Sequence, residues 1–116
     1  MNVKEQTKIL KVHLHSLKQK FEKGEKPENP KDKALFSQVK KETTPVFQLL
    51  EQWERDVLQL IKTRKVNIHP QQIISTRENM ELLLMHSYYL DVRRKRYMEL
   101  NHSVLYIFDQ LQTELD

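Results

Sequence analysis

The sequence predicts an all-α fold, a four-helix up-and-down bundle, and two observations carry that prediction. The first is periodicity: apolar residues return in alternating steps of three and four along three stretches. The stretches are Val3, Thr7, Leu10, Leu14, Leu17, Phe21; then Phe36, Val39, Thr43, Val46, Leu50, Trp53, Val57, Leu60, Arg64; then Met80, Leu83, Ser87, Leu90, Arg94, Tyr97, Asn101, Val104, Phe108, Leu111, Leu115. That spacing keeps one face of a helix turned towards a neighbour. The second is the scarcity of turn residues, with one glycine and four prolines among 116 residues. A β-rich chain of this length needs many more, so the elements are few and long. The size is that of a single helical-bundle domain over residues 1–116, able to bury roughly 60–70% of its unfolded surface.

The first helix is expected over Val3–Lys23. Gly24 can take the left-handed conformation that closes a helix, and Pro27 prevents continuation. Gly24–Pro30 is the one strong break, ending in Asn29-Pro30, which reads as an N-cap followed by proline at the first helical position. The second helix then runs over Lys31–Lys65, with a kink expected at Pro45, which removes the bond to the Lys41 carbonyl. A restart with Thr44 as N-cap is the alternative. The seam keeps its phase from Thr43 through Val46 to Leu50, which favours one kinked helix. Asn67–Ser75 is the next connection, because Pro70 pushes His69 out of the α region. Ser75 and Glu78 form a capping-box pattern, opening a third helix over Ser75–Val92.

From there neither glycine nor proline intervenes before the end of the chain. One helix over that span would be about 60 Å long, more than its partners could cover. Folding it at the basic stretch Val92–Arg96 brings the apolar runs Leu82–Met85 and Val104–Phe108 together and leaves a fourth helix over Tyr97–Glu114. The alternative is a three-helix bundle with one long C-terminal helix, which the unbroken heptad phase supports. The expected core is Leu10, Leu14, Leu17, Val46, Leu50, Trp53, Val57, Leu83, Leu90, Val104 and Phe108. Trp53 sits in phase at the middle of its seam, which makes it a core aromatic rather than an exposed anchor.

The net charge of +4 comes from 20 Lys and Arg against 16 Asp and Glu. The tetrad Arg93, Arg94, Lys95, Arg96 accounts for all of it, so the basicity reads as one local patch on a balanced surface. With no cysteine there is no disulfide, thiolate metal site or cysteine nucleophile. The N-terminus lacks the apolar stretch of a signal peptide, and no run approaches the roughly 20 residues of a membrane span. A cytoplasmic, soluble protein without membrane contact is the expectation.

Three polar residues, Ser87, Arg94 and Asn101, interrupt the third seam. Asp91 stands one helical turn before Arg94, and Tyr88 and Tyr97 lie close in sequence. Tyr88, Asp91, Arg94, Tyr97 and Asn101 are therefore the candidates for a polar network, either a register-fixing layer or a ligand or anion site. Glu99 and His102 make a single Glu-x-x-His pair, whereas a carboxylate-bridged di-iron bundle needs two pairs and two further carboxylates. No metal and no cofactor are expected. One glycine excludes a phosphate-cradling loop, and nothing supplies the strained turn of a hydrolase nucleophile.

The stretch His69–Tyr106 resembles the YppE-like family of small helical proteins from Gram-positive Firmicutes. The likeness rests on Glu78-Asn79, Tyr88-Tyr89, Asp91, Arg93–Tyr97 and Ser103-Val104 with Tyr106. Total length and the proline-containing second helix also fit. The resemblance implies a cytosolic up-and-down four-helix bundle and brings no catalytic residues with it. The expected function is a non-enzymatic protein-interaction or adaptor module with a protein partner, with a homodimer left open. A nucleic-acid-associated bundle using Arg93–Arg96, and a small-ligand or anion site around Asp91, Arg94, Tyr97 and Asn101, are the alternatives and rank below it.

Overall fold

The computed structural model describes residues 1–116 and contains four helices and no strand. They are α1 (Val3–Lys23), α2 (Lys33–Lys62), α3 (Pro70–Tyr89) and α4 (Arg94–Leu115). Successive helices pack side by side and α4 returns against α1, closing an up-and-down bundle. Helices α1 and α3 also approach across its short diagonal, whereas the backbones of α2 and α4 stand farther apart and meet only through long side chains. The chain reverses at Leu90–Arg93, so the three-helix alternative falls.

The first helix starts where Asn2 caps it, its Oδ1 accepting from the Glu5 N–H at 2.9 Å. It stops at Gly24, left-handed at φ 66° with its N–H donating to the Phe21 carbonyl, a conformation glycine adopts without a Cβ clash. The start of α2 corrects the sequence reading. Asn29 does not cap the helix; its Oδ1 accepts from the Lys31 N–H and its carbonyl from the Asp32 N–H, which makes a local turn. Asp32 is the cap, accepting from the Ala34 N–H at 3.1 Å. An Asn-Pro pair suits a turn as well as a cap, and Asp32 supplies the better-placed acceptor.

Helix α2 runs through Pro45 as one element, so the restart at Thr44 does not occur. Thr43 and Thr44 donate their hydroxyls to the carbonyls of Val39 and Lys40, at 2.8 and 2.6 Å. The helix ends at Lys62, not Lys65, because Arg64 turns left-handed at φ 61°. Arg64 N–H then donates to the Ile61 carbonyl and Lys65 N–H to the Leu60 carbonyl, the double closure of a Schellman end. No glycine announces it.

Helix α3 begins earlier than Ser75. Pro70 occupies its first position and His69 caps it, Nδ1 accepting from the Gln71 N–H at 3.0 Å and the Gln72 side chain accepting from the His69 N–H at 3.3 Å. Proline there has no donor to waste and a φ already suited to a helix. The extra turn, ahead of Ser75, adds Ile73 to the buried set.

The core joins all four helices, with Leu10, Leu50, Trp53, Val57, Leu83, Val104 and Phe108 fully shielded and Leu14, Leu17 and Val46 nearly so. Leu90 is half-buried, because it sits in the turn rather than on a helix face. Phe36 begins its seam but stays 59% exposed. At the centre, Trp53 Nε1 donates to Thr7 Oγ1 at 3.0 Å, and Thr7 donates onward to the Val3 carbonyl at 2.8 Å. The Trp53 ring meets Phe108 of α4 edge-on, with centroids 5.4 Å apart. Thr7→Val should therefore strand a buried N–H and cost about 1–3 kcal/mol. Trp53→Ala, which also empties the middle of the core, should cost about 3–5 kcal/mol. Urea unfolding measures both, and a loss below about 1 kcal/mol for Trp53→Ala would contradict the packing.

Candidate functional site

The residues proposed as a polar network do not assemble into one. Asp91 turns to His86, its Oδ1 standing 2.8 Å from His86 Nδ1, and not to Arg94. Arg94 reaches across to Glu22 of α1 at 3.7 Å. Their spacing pairs Asp91 and Arg94 only on a continuous helix, and the helix ends before either residue. Both side chains are mainly exposed, at 60% and 64%, so the Arg94–Glu22 ion pair belongs to the class worth 0–1 kcal/mol. Tyr88 is half-buried with Lys20 Nζ 4.6 Å above its ring. Burial, then the charge of Glu42, raises the Tyr88 pKa. Asn101 is buried in the core, where its Oδ1 meets no protein donor.

Tyr97 is the exception, because its environment is built. It is fully buried, and Phe21 of α1 stacks on it with centroids 3.9 Å apart and planes 11° from parallel. Ser87 Oγ donates to the Leu83 carbonyl at 2.6 Å, so the Tyr97 hydroxyl donates to Ser87 at 2.7 Å. Burial is the main reason its pKa is raised; Glu22 adds to the effect and the Ser87 bond opposes it. The pair ties α3 to α4 just below the turn, and its chemistry is that of a closed structural contact.

The basic tetrad surrounds the start of α4. Arg93 occupies the capping place without a side-chain bond, and Arg94, Lys95 and Arg96 fill the first turn, with no acid among them. Positive charge there opposes the helix dipole. Arg96 and Glu99 stand 3.8 Å apart and, with Glu22 beside Arg94, offset part of this. Lys62, Arg64 and Lys65 lie at the opposite end of the bundle, since α3 separates the two clusters by about 30 Å. Glu99 and His102 are exposed, and no third ligand-type side chain stands with them.

Between α2 and α3, Arg77 is a fixed point. Its guanidinium bonds Glu54 across the interface at 2.6 Å and Glu81 one turn along α3. Hydrogen bonds to these two carboxylates hold its pKa above the ordinary arginine value. This pairing sets the register of α2 against α3.

The most distinctive surface lies on the other side of α3. An open groove of about 550 Å³ runs between α3 and α4, lined by Gln71, Gln72, Ser75, Thr76, Asn79, His102, Ser103, Tyr106 and Ile107. No Asp, Glu, Lys or Arg contributes, in a chain 31% charged. Tyr106 stands on its rim, 65% exposed. In the sequence Asn79 and Ser103 stand out only as marks of resemblance, and Tyr106 also as one of the tyrosines near Asp91 and Arg94; the structure places all three on this groove. Its signal was present: Gln72, Ser75, Thr76 and Asn79 form an uncharged stripe at helical spacing.

The model of a bacterial domain of unknown function, DUF1798, matches residues 7–115. The chain belongs to the DUF1798 family. It is also similar to the uncharacterized protein YppE of Bacillus subtilis (strain 168), with 28% identity over 82 residues, which cover 70% of this chain and 67% of that protein. The crystal structure of B. subtilis YppE superposes with a TM-score of 0.85 at 24% identity, covering 97% of this chain and 91% of that one. Its solution structure gives 0.81 at 24% identity, covering 97% and 90%. The fold of this DUF1798 member is thus the YppE bundle, as the resemblance implied.

Two expectations follow from the buried groups. Ser87→Ala should cost about 1–3 kcal/mol by stranding the Tyr97 hydroxyl. Tyr97→Phe should cost less, because Ser87 keeps the Leu83 carbonyl; equal losses in chemical denaturation would contradict this bond direction. His13 of α1 is half-buried, and burial lowers its pKa from the ordinary 6.5. The folded state therefore binds fewer protons than the unfolded one, and this contribution to stability is complete above about pH 7 and declines as pH falls through 6.5. Unfolding free energies measured from pH 7.5 to 5 should show a decline that His13→Gln reduces.

Proposed function

We propose that this chain is a non-enzymatic protein-interaction module of the bacterial cytoplasm, and that its α3–α4 groove receives an uncharged, hydrogen-bonding segment of a partner polypeptide. The observation that carries the reading is the lining: amides, hydroxyls, one imidazole and an exposed tyrosine over the apolar Ile107, without a formal carboxylate or ammonium. Such a surface discriminates against charged segments, which would surrender hydration without a counter-charge. Tyr106 supplies the rigid amphipathic contact common at the centre of interfaces.

Openness favours a polypeptide over a small ligand. Small-molecule sites bury 70–90% or more of their ligand in a concave pocket, and an open trough between two helices encloses far less. From Gln71 to Asn79 the groove extends about 12 Å along α3, the length of a few residues of partner chain. Nothing in the reading requires Asp91, Arg94, Tyr97 and Asn101 to act together.

Photo-crosslinking in the native cell tests it. A benzophenone amino acid at position 106 should give a discrete adduct with one partner. The same group at position 12, exposed on α1, should not. Asn79→Lys, placing a charge in the groove, should abolish the adduct without changing the helical circular dichroism. Identical adducts from both positions, or an adduct indifferent to Asn79→Lys, would refute the groove as the binding site.

A further inference from the structure

The fold gathers charge that is scattered in the sequence. Lys18–Lys41 and Arg93–Arg96 are far apart along the chain, yet the up-and-down topology brings the end of α1, the start of α2 and the α3–α4 turn to one end of the bundle. The half of the molecule nearest that end, residues 14–48 and 82–106, holds 12 Lys and Arg against 7 Asp and Glu. The other half holds 8 against 9. One end thus carries +5 and the other −1. The sequence reading of a single local basic patch is therefore too narrow.

An apolar side chain stands in the same place. The Glu54–Arg77 pair fixes α2 against α3. Phe36 lies 18 residues before Glu54, about 27 Å along α2, whereas α3 continues only 12 residues past Arg77, about 18 Å. Phe36 consequently projects about 9 Å beyond the end of α3, which is why its in-phase position finds nothing to bury it. It is 59% exposed, and Lys33 and Lys40 flank it one turn away on either side.

We propose that this end of the bundle rests on an anionic bilayer surface, with Phe36 entering the interfacial layer and Lys33, Lys40 and Arg93–Arg96 facing the lipid phosphates. No helix is long and apolar enough to cross a membrane, so the contact is peripheral. The expectation of no membrane contact rested on the missing span and did not consider a surface. A protruding aromatic flanked by lysines is the device by which peripheral segments combine apolar insertion with attraction to acidic headgroups. Nucleic acid fits less well. A single strand wants a groove with several stacking aromatics, and at this end Phe36 is the one aromatic that stands mainly exposed, Phe21, Tyr88 and Tyr89 being partly buried or covered. The proposal is independent of the α3–α4 groove.

Vesicle co-sedimentation of the intact chain decides it, with phosphatidylcholine vesicles and vesicles also containing phosphatidylserine. Retention should require phosphatidylserine and fall steeply with added salt. Neutralising Arg93–Arg96 to Gln should lower partitioning on the order of several hundredfold to a thousandfold. Phe36→Ser should lower it roughly tenfold. Lys62, Arg64 and Lys65 changed to Gln, at the far end, should leave it unchanged. Circular dichroism confirms that each variant is folded. Equal retention on both vesicle types, or equal loss from the far-end variant, would overturn the proposal. So would oligonucleotide binding at a salt concentration where vesicles are not bound.

Discussion

The bundle is organised around one polar bond in an apolar centre, the indole N–H of Trp53 donating to Thr7. A tryptophan offers the largest apolar surface of any residue, but it buries a donor that must be paired. Thr7 meets that need from α1 while its own hydroxyl is held by the Val3 carbonyl. The bond locks α1 to α2 at one height, and the edge-on contact with Phe108 brings α4 to the same level. A slip of either helix by one turn would leave the N–H unpaired and the ring displaced. Tyr97 repeats the solution towards the other end, where Ser87 takes the hydroxyl and Phe21 covers the ring.

Polar residues within the heptad seams therefore have several distinct roles. Thr7 and Ser87 satisfy aromatic donors, Thr43 returns its proton to its own helix, and Arg94 is not in the core at all. The heptad step alone cannot separate these, because the partner is supplied by another helix. The fold class and the four elements were legible from apolar periodicity, since burying those stripes leaves few arrangements. The ends were legible only where the signal has one meaning. Gly24 stops α1 as read, but Pro70 serves equally as breaker or first helical residue, and Asn29-Pro30 equally as turn or cap. Arg64 and Leu90 adopt the left-handed conformation with side chains that do not advertise it. The seam ran unbroken through the α3–α4 turn by coincidence of phase.

Surface character was less legible than the core. The uncharged groove is defined by what two helices omit along a shared edge, and composition averages over such omissions. The charge polarity is likewise a property of topology, since residues about fifty positions apart share one end. An electrically lopsided rod orients in any external field, so approach to a charged object is directional before contact is made. Groove and basic end occupy different parts of the bundle, the one along its side and the other at its tip.

The seam between α1 and α4 has a further consequence. Lys11 meets Asp109 and Gln112, and Lys4 meets Asp116, so the seam closes a ring of almost the whole chain. Closing a loop of about 100 residues by a covalent cross-link would remove roughly 4.7 kcal/mol of disorder from the unfolded state. Exposed ion pairs of this kind return 0–1 kcal/mol each, and a chain without cysteine has no disulfide to supply the difference. The ring is held by Leu10, Leu14, Val104, Phe108 and Leu111, all buried in the shared core. The charges along the seam choose its alignment, and the apolar surface beneath them supplies its strength.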